Sequence, residues 1–236
     1  MPASVPHTLR IMRAVLFDLD DTLVDQESAS DAAVVAWAAT LGVTDTGVAR
    51  RWSGISHRHY ARYQRREVTF TGQRRDRVRE FLGREMTDAE ADELFAGYLE
   101  RYEAGWSIFG DAVPALRRAR AAGLTVGILT NGEEGQQRRK VDRLGLAGEI
   151  DLLVASSVLP AGKPDPRAFG YAVGLLGTAP AETLMVGNSL GKDVLGAQNA
   201  GLAAVLLDRA GAHPGAGVRR VRSLDELTFR AGGRTR

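Results

Sequence analysis

A chain of 236 residues, 44% hydrophobic and 25% charged, has room for one large domain or for a core with an insertion, and its composition is that of a soluble globular protein. It contains no cysteine, which excludes disulfides, thiolate nucleophiles and cysteine-held metal, and its net charge of +2 is too small to argue for nucleic acid. No apolar run nears the roughly 18 residues a membrane span needs, and Met1 to Arg10 lacks a signal-peptide core, so a cytoplasmic location is expected.

The first element is a strand. Arg13 to Phe17 (RAVLF) is short, apolar and rich in strand formers, and it runs into the acidic cluster Asp18-Leu19-Asp20-Asp21-Thr22-Leu23. Residues 1–11 ahead of it are expected to be a flexible extension. From Gln26 to Tyr102 the apolar spacing is helical, as over Ala32 to Leu41, and Thr87 opens a helix with the capping signature Thr-Asp-Ala-Glu. Charge is segregated here. Arg50 to Arg84 holds eleven arginines against three acids, and Glu85 to Ala104 holds seven acids against one arginine. Such runs read as solvated helices that pair their charges, or as a positive surface that attracts an anionic substrate.

After Gly110 strands and helices alternate. Ala112 to Ala122 predicts a helix stopped by Gly123, and Leu124 to Leu129 a buried strand followed by Thr-Asn-Gly and a helix ending near Leu144. Asp151 to Ala155 predicts a strand. Asp165-Pro166 begins a helix that runs to Leu176. Thr183 to Val186 predicts a strand, Gly191 to Ala200 a helix and Ala203 to Leu207 the last strand. This alternation with continuous apolar strands predicts an α/β, Rossmann-like parallel sheet with helices on both faces. The helical stretch interrupts it after its first strand. The expected organisation is a core of 12–24 and 107–228, an all-helical cap of 25–106, and flexible ends at 1–11 and 229–236.

In a parallel sheet, ligands bind at the carboxyl ends of the strands. Asp18, Asp20 and Asp21 fall at one such end, Thr130 and Asn131 at a second, Lys163 in the loop after a third, and Asn188 and Asp193 after a fourth. Each feature is weak alone. Asp21-Thr22 suits a turn, Asp165 a helix cap, Gly187 a close backbone approach, and Thr130-Asn131-Gly132 a helix start. Their order and common rim are what point to a site.

With these motifs the chain resembles the haloacid dehalogenase-like superfamily, in its phosphatase branch with a helical cap after the first strand. The resemblance rests on Asp18-Leu19-Asp20-Asp21-Thr22-Leu23, Leu129-Thr130-Asn131-Gly132, Gly162-Lys163-Pro164-Asp165-Pro166, and Val186-Gly187-Asn188-Ser189-Leu190-Gly191-Lys192-Asp193. It implies a Mg²⁺-dependent phosphatase acting through an aspartyl-phosphate on a small phosphorylated metabolite, such as a nucleotide, a sugar phosphate or a phosphoglycolate-like acid. Asp18 would be the nucleophile and Asp20 the general acid and base. Thr130, Asn131, Gly132 and Lys163 would bind the phosphoryl group, and Thr130 and Lys163 would also stabilise its charge in the transition state. Asp18, the Asp20 carbonyl, Asn188 and Asp193 would hold the metal, with Asp193 also fixing Lys163. The acid two residues after the nucleophile sets the dehalogenase branch aside.

Chemistry supports the same cofactor: an anionic carboxylate attacking an anionic phosphate needs a cation, and hard Mg²⁺ suits oxygen donors. One departure stands out, since Asn188 occupies a position where these phosphatases usually carry Asp. A phosphomutase of the same superfamily, or a binding protein that kept the fold, are the alternatives. In the cap, Asp25, Gln26, His57, Arg58, His59, Arg62 and the aromatics Trp52, Tyr60 and Tyr63 are candidate substrate contacts. The stronger reading makes Trp52, Tyr60 and Tyr63 cap core and His57 and His59 surface residues. No nucleic-acid or membrane partner is expected, and the chain is expected to be a monomer or homodimer.

Overall fold

The runs Ala-Val-Leu-Phe at 14–17 and Thr-Leu-Met-Val-Gly at 183–187 are buried at every position, as strands covered on both faces must be. In the computed structural model, which describes residues 12–229, they form the centre of a six-stranded parallel sheet. Its strands are β1 (Ala14–Phe17), β2 (Thr125–Thr130), β3 (Leu152–Ala155), β4 (Thr183–Gly187), β5 (Ala203–Leu207) and β6 (Arg220–Val221), in the spatial order β3-β2-β1-β4-β5-β6. The predicted α/β class and parallel sheet are borne out. The two-residue β6, which pairs with Leu206 and Leu207, is too short to leave a periodic signal and was not expected.

Alternation along the strands sorts side chains to the two faces. Val15, Phe17, Ile128 and Val186 meet Ala112, Ala115, Leu116 and Ala119 of α5 (Ala112–Ala121) in one cluster. Leu16, Leu129 and Met185 meet Ala168, Phe169 and Ala172 of α7 (Pro166–Leu176) in another. The helix α6 (Glu134–Arg143) follows β2. The helix expected over Gly191 to Ala200 instead begins as a π-helical turn, Leu190–Leu195, before a short α8 (Gly196–Asn199). The carbonyl of Ser189 receives the amides of both Asp193 and Val194, at 3.0 and 3.3 Å, so the turn widens where Asp193 must point inward.

Four helices fill the interval after β1: α1 (Gln26–Thr40), α2 (Val48–Gln64), α3 (Phe70–Leu82) and α4 (Asp88–Ala104). They share a core of their own built from Trp37, Trp52, Phe81, Phe95 and Tyr98. The Trp52 ring lies 4.7 Å from that of Tyr98 and 5.3 Å from those of Trp37 and Phe81, distances at which aromatic pairs attract beyond their burial. The chain crosses between sheet and helices at two paired segments: Asp25 donates its amide to Ser107 at 3.0 Å, and Phe109 donates to Leu23 at 3.0 Å.

Trp52 and Tyr63 are buried. His59, expected at the surface, is buried too, because its ring fills the gap between α2 and α3 and meets Glu80 at 2.6 Å. Tyr60 is half-buried, and its hydroxyl donates to the carbonyl of Asn131 at 3.2 Å. No helix among the described residues is long and apolar enough to cross a membrane. The flexible ends expected at 1–11 and 229–236 lie outside the described residues except Phe229, which packs against the core.

Candidate active site

Strand register sets the site. Phe17 pairs with Ile128 on one side and with Val186 on the other, so Asp18, Thr130 and Asn188 emerge side by side at the carboxyl ends of β1, β2 and β4. Asp18 prolongs the ladder by one bond, its amide donating to Val186 at 2.9 Å. Because β1 lies between β2 and β4, this is also the point where the strand order reverses, and a crevice opens there.

Lys163, Asp18 and Asp193 form a buried charge cluster. The Lys163 ammonium is 2.7 Å from Asp18 Oδ1 and 2.6 Å from Asp193 Oδ1. The other oxygen of Asp193 accepts the Ser189 amide at 2.9 Å. Asp193 thus spends both oxygens inside the protein, one of them on fixing Lys163. Gly187 makes this possible: a Cβ there would stand 2.3 Å from Asp193 Oδ2. Burial pushes the Asp18 carboxyl up to about 7; Lys163 works against that, while Asp193 and Asp20 add to it. Burial also disfavours the Lys163 ammonium, but Asp18 and Asp193 outweigh it and raise the lysine above its ordinary value.

Asn131 holds the lysine from behind. Its side-chain amide donates to the Lys163 carbonyl at 2.7 Å and accepts the Lys163 amide at 2.8 Å, which fixes the loop through the cis Lys163–Pro164 peptide. Thr130 is buried, and its hydroxyl oxygen accepts from Gln137 at 2.9 Å, leaving the hydroxyl proton free to point at a ligand. Gly132 is buried as well, and a Cβ on it would strike Gln137 at 2.6 Å.

Two functional residues were not anticipated. Gln137 donates from one amide nitrogen to Thr130 and, at 2.8 Å, to Asp20 Oδ2. Lys140 forms an ion pair with Asp20 Oδ1 and reaches the Tyr102 hydroxyl at 3.3 Å. Burial opposes the Lys140 ammonium, but Asp20 and Tyr102 outweigh it. Asp20 is therefore held at both oxygens. The only sequence signal was phase: Gln137, Lys140 and Val141 are the buried positions of α6, spaced as one helix face. Lys140 lies among Arg138, Arg139 and Arg143 and reads as one more solvated cation.

Asp21 serves structure. At a φ of 59° it turns the chain, and its Oδ1 accepts the amides of Gln26 and Glu27 at 3.0 and 2.8 Å at the start of α1. Asp165 accepts the Arg167 amide at 2.9 Å and caps α7. Asn188 is half-buried; its amide donates to Thr22 Oγ1 at 3.1 Å, and Thr22 returns a longer bond of 3.4 Å to Asn188 Oδ1.

The donors present are hard oxygens: the Asp18 carboxylate, the Asp20 carbonyl and the Asn188 side-chain carbonyl. Among the described residues no group of three or more His, Cys, Asp or Glu side chains is arranged to hold a metal, so a cation here would take one carboxylate plus neutral oxygens and water, a set that suits Mg²⁺. Lys163 occupies Oδ1 of Asp18, which leaves Oδ2 for the ion. Asp18, Asp20 and Asp193 face the two ammonium groups of Lys163 and Lys140, which leaves one carboxylate in excess and favours a bound cation.

These residues line one wall of a cavity of about 640 Å³, the size of a small-molecule site. Ser53, Ser56, His57, Tyr60, Arg74 and Arg77 line the wall built by the helices.

Known proteins resemble the chain in sequence and in fold. The family model described as haloacid dehalogenase-like hydrolase matches residues 12–201. The chain is 42% identical to the phosphoserine phosphatase of Thermus thermophilus over 104 residues, which is 44% of this chain and 42% of that protein. It is 30% identical over 203 residues to the glyceraldehyde 3-phosphate phosphatase of Methanothermobacter thermautotrophicus, covering 84% of this chain and 86% of that one. Among solved structures, the putative HAD-hydrolase YfnB of Bacillus subtilis shares the fold with a TM-score of 0.75 at 22% identity, over 92% of this chain and 97% of that one.

Proposed function

The chain belongs to the haloacid dehalogenase-like hydrolases, and from that premise we propose that it is a Mg²⁺-dependent phosphatase acting on a small phosphorylated metabolite through an aspartyl-phosphate. The observation that carries this reading is the buried Asp18–Lys163–Asp193 cluster set beside Thr130 in the cavity between sheet and helices. The two full-length or partial relatives named above are phosphatases by name, which supports the same reaction class.

In this mechanism an oxygen of Asp18 attacks phosphorus, and the ester oxygen departs. Asp20, two residues on, gives that oxygen its proton. After the alcohol leaves, Asp20 takes a proton from the water that attacks the acyl-phosphate and frees Asp18. Gln137 and Lys140 hold the Asp20 carboxylate in place for both steps. The Thr130 hydroxyl and the Asn131 amide donate to phosphoryl oxygens. Lys163 keeps positive charge against Asp18 and the phosphoryl group, and Asp193 keeps Lys163 there. Positioning and charge stabilisation of this kind supply most of what phosphoryl transfer requires. Asp18, the Asp20 carbonyl and Asn188 would hold Mg²⁺, which offsets the repulsion between nucleophile and substrate. We take residues 25–106 as a cap over a core of 12–24 and 107–228; closing it would exclude water from the acyl-phosphate. The test is hydrolysis of an aryl phosphate with and without Mg²⁺, by the wild type and by Asp18→Asn.

A further inference from the structure

We propose that the cavity carries a second anion site on its helical wall, formed by Arg77, Arg74 and Ser56, for a carboxylate or a second phosphate on the leaving group of the substrate. This rests on the phosphatase reading for the position of the phosphoryl group, and it narrows the substrate to phosphomonoesters of acidic alcohols.

Several arginines of the helical unit are neutralised by ion pairs. Arg75 pairs with Asp88 and Asp92, Arg79 with Asp88, Arg62 with Asp76, and Arg58 with Glu80. Arg74 and Arg77 differ. Among the described residues no carboxylate lies within ion-pair distance of either, yet both line the cavity that contains Asp18, Thr130 and Lys163. Aromatic rings hold them in place. The Arg77 guanidinium sits 4.6 Å from the Trp52 ring centre and 5.3 Å from that of Phe95; Arg74 sits 4.1 Å from Phe70 and 5.0 Å from Phe95. Such stacking orients a cation without cancelling its charge.

Polar atoms here also lack partners. Arg77 Nε and Ser56 Oγ are buried and make no hydrogen bond, in residues that both line the cavity. A buried donor without a partner is destabilising, and an anion in the cavity would satisfy both. Arg74 makes one neutral hydrogen bond, from Nη2 to Gln136 Oε1 at 2.7 Å. Burial depresses its pKa, and the like charges of Arg77 and Arg139 depress it further, only partly offset by Glu133 and Glu103. Those two acids are engaged elsewhere: Glu133 accepts the Gln136 amide at 2.8 Å, and Glu103 pairs with Arg139 at 3.4 Å. Asp20 is taken by Lys140. Two guanidinium groups, close enough for Arg77 to depress Arg74 and without a carboxylate in ion-pair reach, fit an anion supplied by the substrate. A guanidinium meets carboxylate and phosphate equally well.

The test compares matched substrates in Mg²⁺: 3-phosphoglycerate against glycerol 3-phosphate for a carboxylate, and propane-1,3-diol bisphosphate against 3-hydroxypropyl phosphate for a second phosphate. The quantity read is the ratio of kcat/KM, charged over uncharged, within each pair. At least one pair is expected to show a ratio on the order of tenfold or more, the worth of one charge-assisted contact. The pair that does so tells carboxylate from phosphate. Arg77→Met should bring that ratio toward one, and Arg77→Lys should keep part of it. Ratios near one in both pairs for the wild type, or a ratio unchanged in a folded Arg77→Met protein, would overturn the proposal. Calorimetric binding of the same four compounds to Asp18→Asn separates the two claims. A binding preference that Arg77→Met removes, without turnover in the wild type, leaves the anion site standing and removes the phosphatase reading. Turnover without any preference does the reverse.

Discussion

Asn188 replaces a charge that the site would find hard to carry. Asp18 and Asp193 already share the Lys163 ammonium while Asp20 pairs with Lys140, and burial with these two acidic neighbours pushes Asp18 up to about 7. An amide offers the same oxygen to a cation without adding a fourth carboxylate. Asn188→Asp should therefore tighten Mg²⁺ by about tenfold, since ligand charge tunes affinity, and should lower the melting temperature in a chelator while raising it in excess Mg²⁺. A melting temperature that responds to Mg²⁺ as the wild type does would show that residue 188 is not a ligand. Asp20 invites a different experiment. With Gln137 and Lys140 bonded to its carboxylate, Asp20→Asn keeps the shape but loses the base. Phosphoenzyme should then accumulate on Asp18, with turnover reduced by a factor on the order of 10² to 10⁴, the usual worth of general acid–base catalysis. Mass spectrometry of the quenched protein reads this directly, and normal turnover would remove Asp20 from the role.

At the level of elements, the strand ends were legible because each buried strand is a continuous apolar run that stops at a polar residue. Phe17 gives way to Asp18, and Leu129 to Thr130. What the sequence hid lies on helices. Lys140 and Gln137 sit on a polar helix whose buried face contains only one apolar side chain, Val141, so hydrophobic phase had almost nothing to report. His59 looked exposed because it is polar, yet it falls on the buried face of α2 with Trp52, Ile55 and Tyr63, where Glu80 of α3 meets its ring. Arg74 and Arg77 were legible as charge but not as unpaired charge, because pairing depends on which face of α3 meets Asp88 and Asp92. A further element-scale device is Asp111 at the start of α5. It accepts two bonds of 2.8 Å from Arg209 and bonds of 2.9 Å from Ser223 and Leu224, and so ties the C-terminal segment to the sheet. Burial alone would raise its carboxyl, but these donors win and hold it at about 2, against an ordinary 3.8. A depressed value means a contribution that is complete at neutral pH and is lost as pH falls from about 4 toward about 2. Asp111→Asn should cost roughly 1–3 kcal/mol at pH 7, the loss of a charged hydrogen-bond acceptor. Denaturant unfolding should show the difference from wild type shrinking across that acidic window. A difference that stays constant with pH would mean the ionised carboxylate is not what matters.

For the whole molecule, the proposed mechanism places the chemistry on the sheet and the recognition on the helices. The sheet supplies Asp18, Thr130, Lys163 and Asp193 from strand ends and the loops after them, positions that rigid, fully buried strands hold in place. The helices between β1 and α5 supply the opposite wall, and the chain passes between the two units at the paired segments Leu23–Asp25 and Ser107–Phe109. Contacts bridge the cavity from one unit to the other: Tyr60 to Asn131, Arg66 to the carbonyls of Ser156 and Leu159, and Tyr102 to Lys140. Lys140 thus touches both Asp20 and Tyr102 of the far wall. The charge segregation along the helical stretch resolves in part into pairing between helices. The outward arginines pair with the acids of α3 and α4, and the two inward ones face the cavity.

The most direct measurement is aryl phosphate hydrolysis by wild type and Asp18→Asn, each with Mg²⁺ and with a chelator, alongside a melting curve for both proteins. Turnover that requires Mg²⁺ and vanishes in a folded Asp18→Asn protein is expected. Turnover that survives the loss of Asp18, or that proceeds unchanged in the chelator, would contradict the aspartyl-phosphate mechanism.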